Sequence, residues 1–284
     1  MKKWFAVSIF LILFGSFLFY NSRKIPELGD EGYITELPPD VRNVLGSQAN
    51  LAEVSLRVPI LLYHYVEYVK DKNDTFRQSL NIPPHVLTSQ IETLKEAGYT
   101  FITTSELTDA IAGKIKLPQK IVILTFDDGY RDFYTDVFPI LKKEQVKAVE
   151  YVIPDFLNRP NFMFSFQLAE IAKNSLVEIG AHTMDHVWLK GINEKTASYQ
   201  ISQSKKTLES MLNTPINSFA YPYGAFDQQT MQLTKTAGFT NAVSTVPGIE
   251  HSLNTRYYLY RLRPGYRTGQ ELLNYLKQDT FKAW

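Results

Sequence analysis

The sequence predicts an α/β fold in which one parallel β-sheet is covered by helices. From Val58 onward, apolar runs rich in β-branched residues alternate with helical patterns. The runs are almost continuously apolar, as in parallel strands that are buried on both faces. About seven or eight strand–helix units follow one another, which favours a barrel over an open doubly wound sheet.

The predicted elements alternate along the folded region, the strands as short β-rich runs and the helices as longer helical patterns. The strands lie near residues 59–63, 100–102, 121–126, 148–153, 177–181, 218–221, 241–244 and 257–262. The helices lie near residues 84–97, 105–113, 132–143, 165–173, 194–212, 227–237 and 269–278. With 284 residues, 44% of them hydrophobic, the chain can bury one substantial core, so a single catalytic domain over residues 58–284 is expected.

The first 21 residues have the pattern of an export segment. Two lysines precede an uncharged apolar run from Trp4 to Tyr20, and Arg23 and Lys24 follow it. The run is longer than the roughly 7 to 15 apolar residues of a signal peptide, and no small-x-small cleavage site follows it. We therefore predict a membrane anchor or signal segment over residues 1–21 and an extracytoplasmic, cell-surface location, either anchored or secreted; a cleaved signal peptide is the alternative.

Residues 22–57 are predicted to be an extracytoplasmic linker. They contain scattered Gly and Pro and only short apolar stretches, with about one helical turn near residues 41–45. The chain has no cysteine, so any transition metal must be held by His, Asp or Glu. Its net charge of +1 lacks the basic footprint that duplex nucleic acid requires, so we expect no nucleic-acid partner.

Unusual polar residues follow three of the predicted strands. Asp127 and Asp128 come at the end of one strand, His182 and His186 after another, and His64 after the first. In a parallel barrel the carboxyl ends of the strands meet on the active-site face. We therefore expect these five side chains to lie close together.

The residue types favour a catalytic metal site. Two histidines at i and i+4 can share one face of a helical turn, and imidazole with carboxylate suits Zn, Co, Ni or Fe better than Mg or Ca. One aspartate would complete a His-His-Asp set with open positions, and the other could act as general base. Taken singly, the Asp pair could be a turn or helix cap and each histidine could be structural. Their joint placement favours the catalytic interpretation, whereas His85 and His251 lack it and are expected to be structural or solvent-exposed.

The motifs also carry a family resemblance. Thr125-Phe126-Asp127-Asp128-Gly129 and His182-Thr183-Met184-Asp185-His186 resemble the first two motifs of the polysaccharide deacetylase (NodB-homology, carbohydrate esterase family four) domain. Phe219-Ala220-Tyr221-Pro222-Tyr223-Gly224 resembles the third motif in its poly-β-1,6-N-acetylglucosamine deacetylase variant. The resemblance implies a single-domain, deformed (β/α)7-type barrel that is circularly permuted. It also implies a hydrolase that removes acetyl groups from an exopolysaccharide in biofilm formation.

The resemblance assigns roles to the residues of these motifs. Asp127 would be the general base, and Asp128, His182 and His186 would hold one divalent transition metal ion, Zn, Co or Ni. The backbone N–H of Tyr223 would stabilise the oxyanion.

Two departures from the usual family pattern shift other roles elsewhere. No histidine follows His251, but Ile60-Leu61-Leu62-Tyr63-His64-Tyr65-Val66 resembles the amino-terminal strand of the permuted members, which makes His64 the expected general acid. Phe219 replaces the leading arginine of the third motif. The segment 257–262 resembles a late strand that supplies an arginine instead, which makes Arg261 the expected partner of Asp127.

Aromatic residues in the motifs are candidates for sugar binding, because pyranose faces stack on flat rings. Tyr63, Tyr221 and Tyr223 are the residues that we expect to contact the substrate. The apolar stretch Phe156–Phe164 is expected to cap the core, or to touch membrane or polymer. The expected partners are a β-linked N-acetylglucosamine polymer and, through the N-terminal segment, a membrane; the chain is expected to be a monomer. Peptidoglycan or chitooligosaccharide substrates, a metallophosphoesterase and a non-catalytic carbohydrate-binding module are the competing interpretations.

Overall fold

The computed structural model describes residues 32–48 and 55–282. Residues Tyr33–Trp284 form one compact unit. The predicted anchor over residues 1–21 lies outside the described residues. None of the helices within residues 32–48 and 55–282 has the length and apolar character that crossing a membrane requires.

The regular elements follow the predicted alternation closely. The strands are β1 (Leu56–Arg57), β2 (Ile60–Tyr63), β3 (Tyr65–Val66), β4 (Asn81–Ile82), β5 (Thr100–Phe101), β6 (Ile121–Asp128), β7 (Ala148–Val152), β8 (Val177–Ala181), β9 (Ser218–Ala220), β10 (Asn241–Val243) and β11 (Glu250–His251). The helices are α1 (Pro39–Gln48), α2 (Thr75–Leu80), α3 (Pro84–Glu96), α4 (Thr104–Ile111), α5 (Phe138–Glu144), α6 (Ser165–Ile171), α7 (Glu194–Leu212), α8 (Gln228–Thr236) and α9 (Gly269–Leu276). A π-helical turn over Phe133–Val137 replaces the first half of the helix predicted at 132–143. Short 3₁₀ turns lie at Pro154–Phe156 and Pro222–Gly224.

The main sheet is parallel, in the order β10-β9-β8-β7-β6-β2, with β5 also paired to β6. Its two edges are joined by the predicted strand near 257–262, which is present as two single bridges. Leu259 donates its N–H to Ala242 of β10, and Leu262 donates its N–H to Ile60 of β2, both at 2.8 Å. The sheet therefore curls around and confirms the deformed (β/α)7-type barrel.

The strands β2, β6, β7, β9 and β10 of the curled sheet bury both faces. Ile60 and Ile123 belong to one apolar cluster with Tyr151 of β7 and with α4. Their neighbours Leu61 and Leu124 belong to a second, larger cluster that the other helices cover. Successive side chains of a strand point to opposite faces, so strands between two cores need continuous apolar sequences.

The compact unit begins before the predicted domain start at Val58. Within the range predicted as a linker, Val41 of α1 is 1% exposed and Asp40 accepts a hydrogen bond from the N–H of Gln228 at the start of α8. The helix α1 is also longer than the predicted single turn. Linear composition could not show this docking, because each contact depends on residues far away in the sequence.

Candidate active site

Asp128, His182 and His186 form a three-residue cluster at the carboxyl ends of β6 and β8. Their ligand atoms all lie within 4.8 Å of one another. The Oδ1 atom of Asp128 is 3.4 Å from Nε2 of His182 and 3.3 Å from Nε2 of His186, and within the described chain it has no hydrogen-bond partner. An orphaned, buried carboxylate oxygen that faces two imidazole nitrogens fits a divalent transition metal.

Each histidine ring is held by a hydrogen bond at its other nitrogen. Nδ1 of His182 lies 2.7 Å from the carbonyl oxygen of Ala220, and Nδ1 of His186 lies 3.0 Å from the hydroxyl of Tyr223. A carbonyl can only accept, so Nδ1 of His182 donates and its Nε2 keeps a lone pair for a metal. Outer contacts of this kind fix the ring orientation of metal-binding histidines.

The protonation states of the cluster also suit a metal. Burial lowers the pKa of His186 to about 4, which leaves the neutral imidazole that binds metals. Burial disfavours the charge on Asp128, but the neighbouring His186 and His182 outweigh it, so the pKa of that carboxyl falls below its usual range. The cluster thus offers one carboxylate and at least one neutral imidazole.

The backbone around the cluster is unusual. Asp128, Thr183, His186 and Tyr223 have positive φ angles of 85°, 60°, 62° and 58°, a conformation that is costly for residues with a Cβ. The hydroxyl of Thr183 accepts a hydrogen bond of 2.9 Å from the N–H of His186. The segment is a turn over residues 183–185 rather than a helical turn, and it places the two ring centroids 4.9 Å apart.

Asp127 lies beside the cluster in a buried ion pair with Arg261. Nη1 and Nη2 of the arginine donate to Oδ1 and Oδ2 of the aspartate, both at 2.7 Å, and the exposures are 0% for Arg261 and 3% for Asp127. The arginine is itself fixed, because its Nε donates to the carbonyl of Ser244 at 2.7 Å. Burial raises the pKa of Asp127, but the charge and hydrogen bonds of Arg261 outweigh burial and keep it below its usual value. The expected contact is present, and its catalytic role remains a prediction.

His64 follows β2 and is 6% exposed. Its Nε2 lies 3.0 Å from the hydroxyl of Tyr33, and its buried Nδ1 has no partner among the described residues. Burial lowers the pKa of this imidazole to about 4, although Asp128 and Asp127 act in the opposite direction. Ring contacts connect His64 to the cluster: the centroid of Tyr33 lies 5.8 Å from that of His64 and 6.4 Å from that of Tyr223, which lies 4.5 Å from His186. The role of His64 as proton donor remains a prediction.

The structure brings Tyr223, but not Tyr63 and Tyr221, to the site. The ring centroid of Tyr223 lies 4.5 Å from that of His186 and 5.9 Å from that of Trp188. Tyr63 and Tyr221 are 3% and 0% exposed and belong to the core on the helix side of the sheet. Their hydroxyls donate to Gln90 and to the carbonyl of Tyr257, so the side chains that were expected to bind sugar are structural.

The apolar stretch Phe156–Phe164 mostly caps the core. Phe156 and Phe162 are 6% and 7% exposed and pack with Tyr65 and Tyr130 in a separate aromatic cluster. The rings of Tyr65 and Tyr130 stack with their centroids 3.8 Å apart. The alternation of buried and exposed residues in this loop could not be read from its composition.

The two remaining histidines do not join the cluster. His251 is fully buried, with Nε2 2.9 Å from the carbonyl of Val58, and His85 pairs with the exposed Tyr68. The residue that sequence reasoning missed is Tyr33, which belongs to no motif and carries no local signal of its position beside His64.

Comparison with known proteins identifies the family. The model for "Polysaccharide deacetylase" matches residues 114–242. Over 211 residues the chain is 28% identical to the Bacillus subtilis protein YxkH, named as a polysaccharide deacetylase; the match covers 74% of this chain and 72% of YxkH. It is also 28% identical over 187 residues to a poly-β-1,6-N-acetyl-D-glucosamine N-deacetylase of Staphylococcus aureus, covering 61% of this chain and 64% of that protein.

A solved structure agrees in both fold and sequence. The Streptococcus pyogenes deacetylase PplD, in complex with acetate, superposes with a TM-score of 0.73 at 27% identity. The match covers 79% of this chain and 100% of PplD. The chain therefore carries a polysaccharide deacetylase (NodB-homology, carbohydrate esterase family four) domain, which is a hydrolase domain that acts on amide carbon–nitrogen bonds.

Proposed function

We propose that this polysaccharide N-deacetylase removes acetyl groups from poly-β-1,6-N-acetylglucosamine outside the cytoplasm, in biofilm formation. The observation that carries the chemistry is the buried ion pair of Asp127 with Arg261, directly beside the cluster of Asp128, His182 and His186. A relative from Staphylococcus aureus carries the name of this activity, which supports the substrate.

Asp128, His182 and His186 would hold one divalent metal ion, Zn, Co or Ni. When bound, such an ion polarises the acetamide carbonyl and makes water a stronger acid. The left-handed turn at Thr183 and the contacts of Ala220 and Tyr223 hold the ligands in place before an ion arrives, which reduces the reorganisation needed on binding.

Asp127 would accept a proton from the attacking water. Its pKa lies below the usual value, so it is ionised and ready to accept at neutral pH. Arg261 occupies both carboxylate oxygens and thereby fixes the direction in which the remaining lone pairs point. The backbone N–H of Tyr223 would stabilise the negative charge that develops on the acetamide oxygen.

His64 would donate a proton to the departing glucosamine nitrogen. With a pKa of about 4, its imidazole is neutral in the free enzyme at pH 7. Negative charge that develops on the substrate would raise this pKa during the reaction, because a nearby opposite charge favours the imidazolium. The products are acetate and a free amine, so the polymer gains positive charge.

The substrate assignment can be tested with the full chain loaded with Zn, Co or Ni. Acetate release is compared for β-1,6-linked oligomers, β-1,4-linked chitooligosaccharides and peptidoglycan. We expect the β-1,6-linked oligomers to react at least about tenfold faster than the others. Faster acetate release from chitooligosaccharides or peptidoglycan would refute the substrate assignment. If none of the three polymers released acetate, the proposed function itself would be refuted.

Two substitutions test the roles, with one matched control. Asp128→Ala should abolish metal binding, and His64→Ala should slow turnover by about 10²- to 10⁴-fold with metal retained. His85→Ala serves as control, because His85 pairs with an exposed tyrosine outside the cluster, and activity should be unchanged. Loss of metal in His64→Ala would contradict the assigned role.

A further inference from the structure

The residues before α1 form a strap, here defined as residues 33–38, that lies against the active site. The N–H of Ile34 donates to the carbonyl of Tyr223 at 2.8 Å, and the carbonyl of Ile34 accepts from the hydroxyl of Thr245. The α1 helix that follows is anchored by the buried Val41. Both backbone groups of Ile34, the neighbour of Tyr33, are therefore hydrogen-bonded to the body of the domain. One of the partners, Tyr223, is also the residue whose hydroxyl contacts His186.

Gly224, the last residue of the third motif, shows how closely the strap packs against that motif. Its φ angle is +66°, and a Cβ built on it would lie 1.8 Å from the Thr245 hydroxyl oxygen and 3.0 Å from the carbonyl oxygen of Ile34. No side chain fits there, and an L residue would also be strained. The third motif and the strap thus pack as one piece.

This docking places Tyr33 in contact with His64. The hydroxyl of Tyr33 is 3.0 Å from Nε2 of His64, and the ring centroids lie 5.8 Å apart in an edge-to-face arrangement. The tyrosine also lies beside Tyr223, at a centroid distance of 6.4 Å, and under the guanidinium of Arg263, at 5.9 Å. Burial raises the pKa of Tyr33, so the phenol keeps its proton and can both donate and accept.

Among the described residues, the Tyr33 hydroxyl is the one hydrogen-bond partner of the His64 ring. Its other ring nitrogen, Nδ1, is buried and has no hydrogen-bond partner in the described part of the chain. Rotation about the last torsion of a histidine is broad, so hydrogen bonds decide the ring orientation and which nitrogen carries the proton.

We infer that Tyr33 is a positioning residue for the proposed deacetylation: its hydroxyl accepts a hydrogen bond from Nε2–H of His64 and orients the ring, so that the proton delivered to the leaving amine sits on Nδ1. This inference rests on the proposed role of His64 as proton donor. The strap is then part of the active site, although it precedes every catalytic motif in the sequence.

The hydrogen bond to Tyr33 should also affect the pKa of His64, in addition to the charged groups around the ring. Asp127 and Asp128 favour the imidazolium, and Arg261 and Arg263 oppose it. A hydroxyl that accepts a hydrogen bond from the imidazolium makes a stronger bond than one to the neutral ring, by roughly a factor of two. Removal of the hydroxyl therefore destabilises the imidazolium more than the neutral imidazole, so the pKa of His64 should fall.

The test uses Tyr33→Phe in the full chain, which removes the hydroxyl and keeps the ring. We expect kcat to fall by about tenfold with KM little changed, and NMR titration should show the pKa of His64 lower by about one unit. In a His64→Ala background the same substitution should change kcat by less than about twofold, because no imidazole remains to be oriented. The matched control is Tyr68→Phe, which removes the hydroxyl of the exposed Tyr68–His85 pair and should change neither quantity.

Three outcomes would overturn the inference. One is an equal loss in the wild-type and His64→Ala backgrounds, which would mean that Tyr33 acts on something other than His64. Another is faster turnover in Tyr33→Phe, which would make the strap a plug. The third is an unchanged titration of His64. Because the titration needs no turnover, a shifted pKa without acetate release would support the positioning role and refute only the proposed function.

Discussion

Replacement of Arg261 by methionine should reveal how strongly the buried pair holds Asp127. Methionine keeps much of the aliphatic volume but removes the charge and all the donors, which leaves a carboxylate that is 3% exposed without its counter-ion. Breaking a buried pair by removing one partner costs about 3–5 kcal/mol. Because both side chains are buried, solvent screening should not reduce this cost.

The cost has a definite pH dependence. In the wild type the pKa of Asp127 is lowered, so the pair contributes stability above the unfolded-state pKa of about 3.9, and this contribution is lost as the pH falls through the folded-state pKa. In Arg261→Met, burial alone should raise the pKa of Asp127, so the penalty is largest near neutral pH and is relieved on acidification. The difference in stability between the two proteins should therefore shrink from pH 7 towards pH 4.

Urea denaturation followed by circular dichroism measures this effect. At pH 7 the midpoint should fall by about 1–3 M with an unchanged m-value. The control Arg267→Met removes a partly exposed arginine, 3.7 Å from Glu271, and should cost less than about 1 kcal/mol. Adding Asp127→Asn to Arg261→Met should recover at least about 2 kcal/mol, because the unpaired charge is gone.

The reasoning fails if the cost of Arg261→Met is the same at pH 7 and pH 4.5, or if Asp127→Asn adds to it in full. Either result would mean that Arg261 acts through packing and its bond to Ser244.

Three further predictions follow from contacts elsewhere. Tyr223→Phe removes the hydroxyl at Nδ1 of His186 and should weaken metal affinity, measured by calorimetry, by about 10- to 100-fold; unchanged affinity would show that the contact is incidental. Burial lowers the pKa of His251 to about 4, below its value of about 6.5 in the unfolded chain, so the free energy of unfolding should fall as the pH is lowered from 6.5 to 4. His251→Gln should reduce that pH dependence by about 1.4 kcal/mol per pH unit; an unchanged dependence would mean that burial does not shift the pKa of His251. Gly180→Ala would place a Cβ 2.4 Å from the ring of Tyr151 and should lower the free energy of unfolding by about 1–3 kcal/mol; a neutral result would mean that the ring can move freely.

Much of the fold was predictable because its signals are local. Strands buried on both faces must be continuously apolar, and this alone located the strands that became β2 and β6 to β10. The parallel arrangement then placed Asp128, His182 and His64 at one face, since each lies at or directly after the carboxyl end of a strand. Residue type was sufficient to propose a metal site with a base and an acid beside it.

Tertiary structure decided the features that depend on distant contacts. The strand predicted near 257–262 exists only as single bridges to β10 and β2, and it delivers Arg261 to Asp127 from far along the chain. Tyr63 and Tyr221 stand inside motifs, yet Tyr63 at the end of β2 and Tyr221 just after β9 bury their rings in the core, where Gln90 and a backbone carbonyl bind their hydroxyls.

The sequence by itself determined the fold class and the chemical types at the strand ends, because hydrophobic periodicity and residue identity are properties of short stretches of chain. Only the tertiary structure decided that the range predicted as a linker contributes Tyr33 to His64, and that left-handed turns at Thr183 and His186 bring two imidazoles to one carboxylate. Those outcomes depend on packing and backbone strain between segments far apart in the chain, and no local pattern records them.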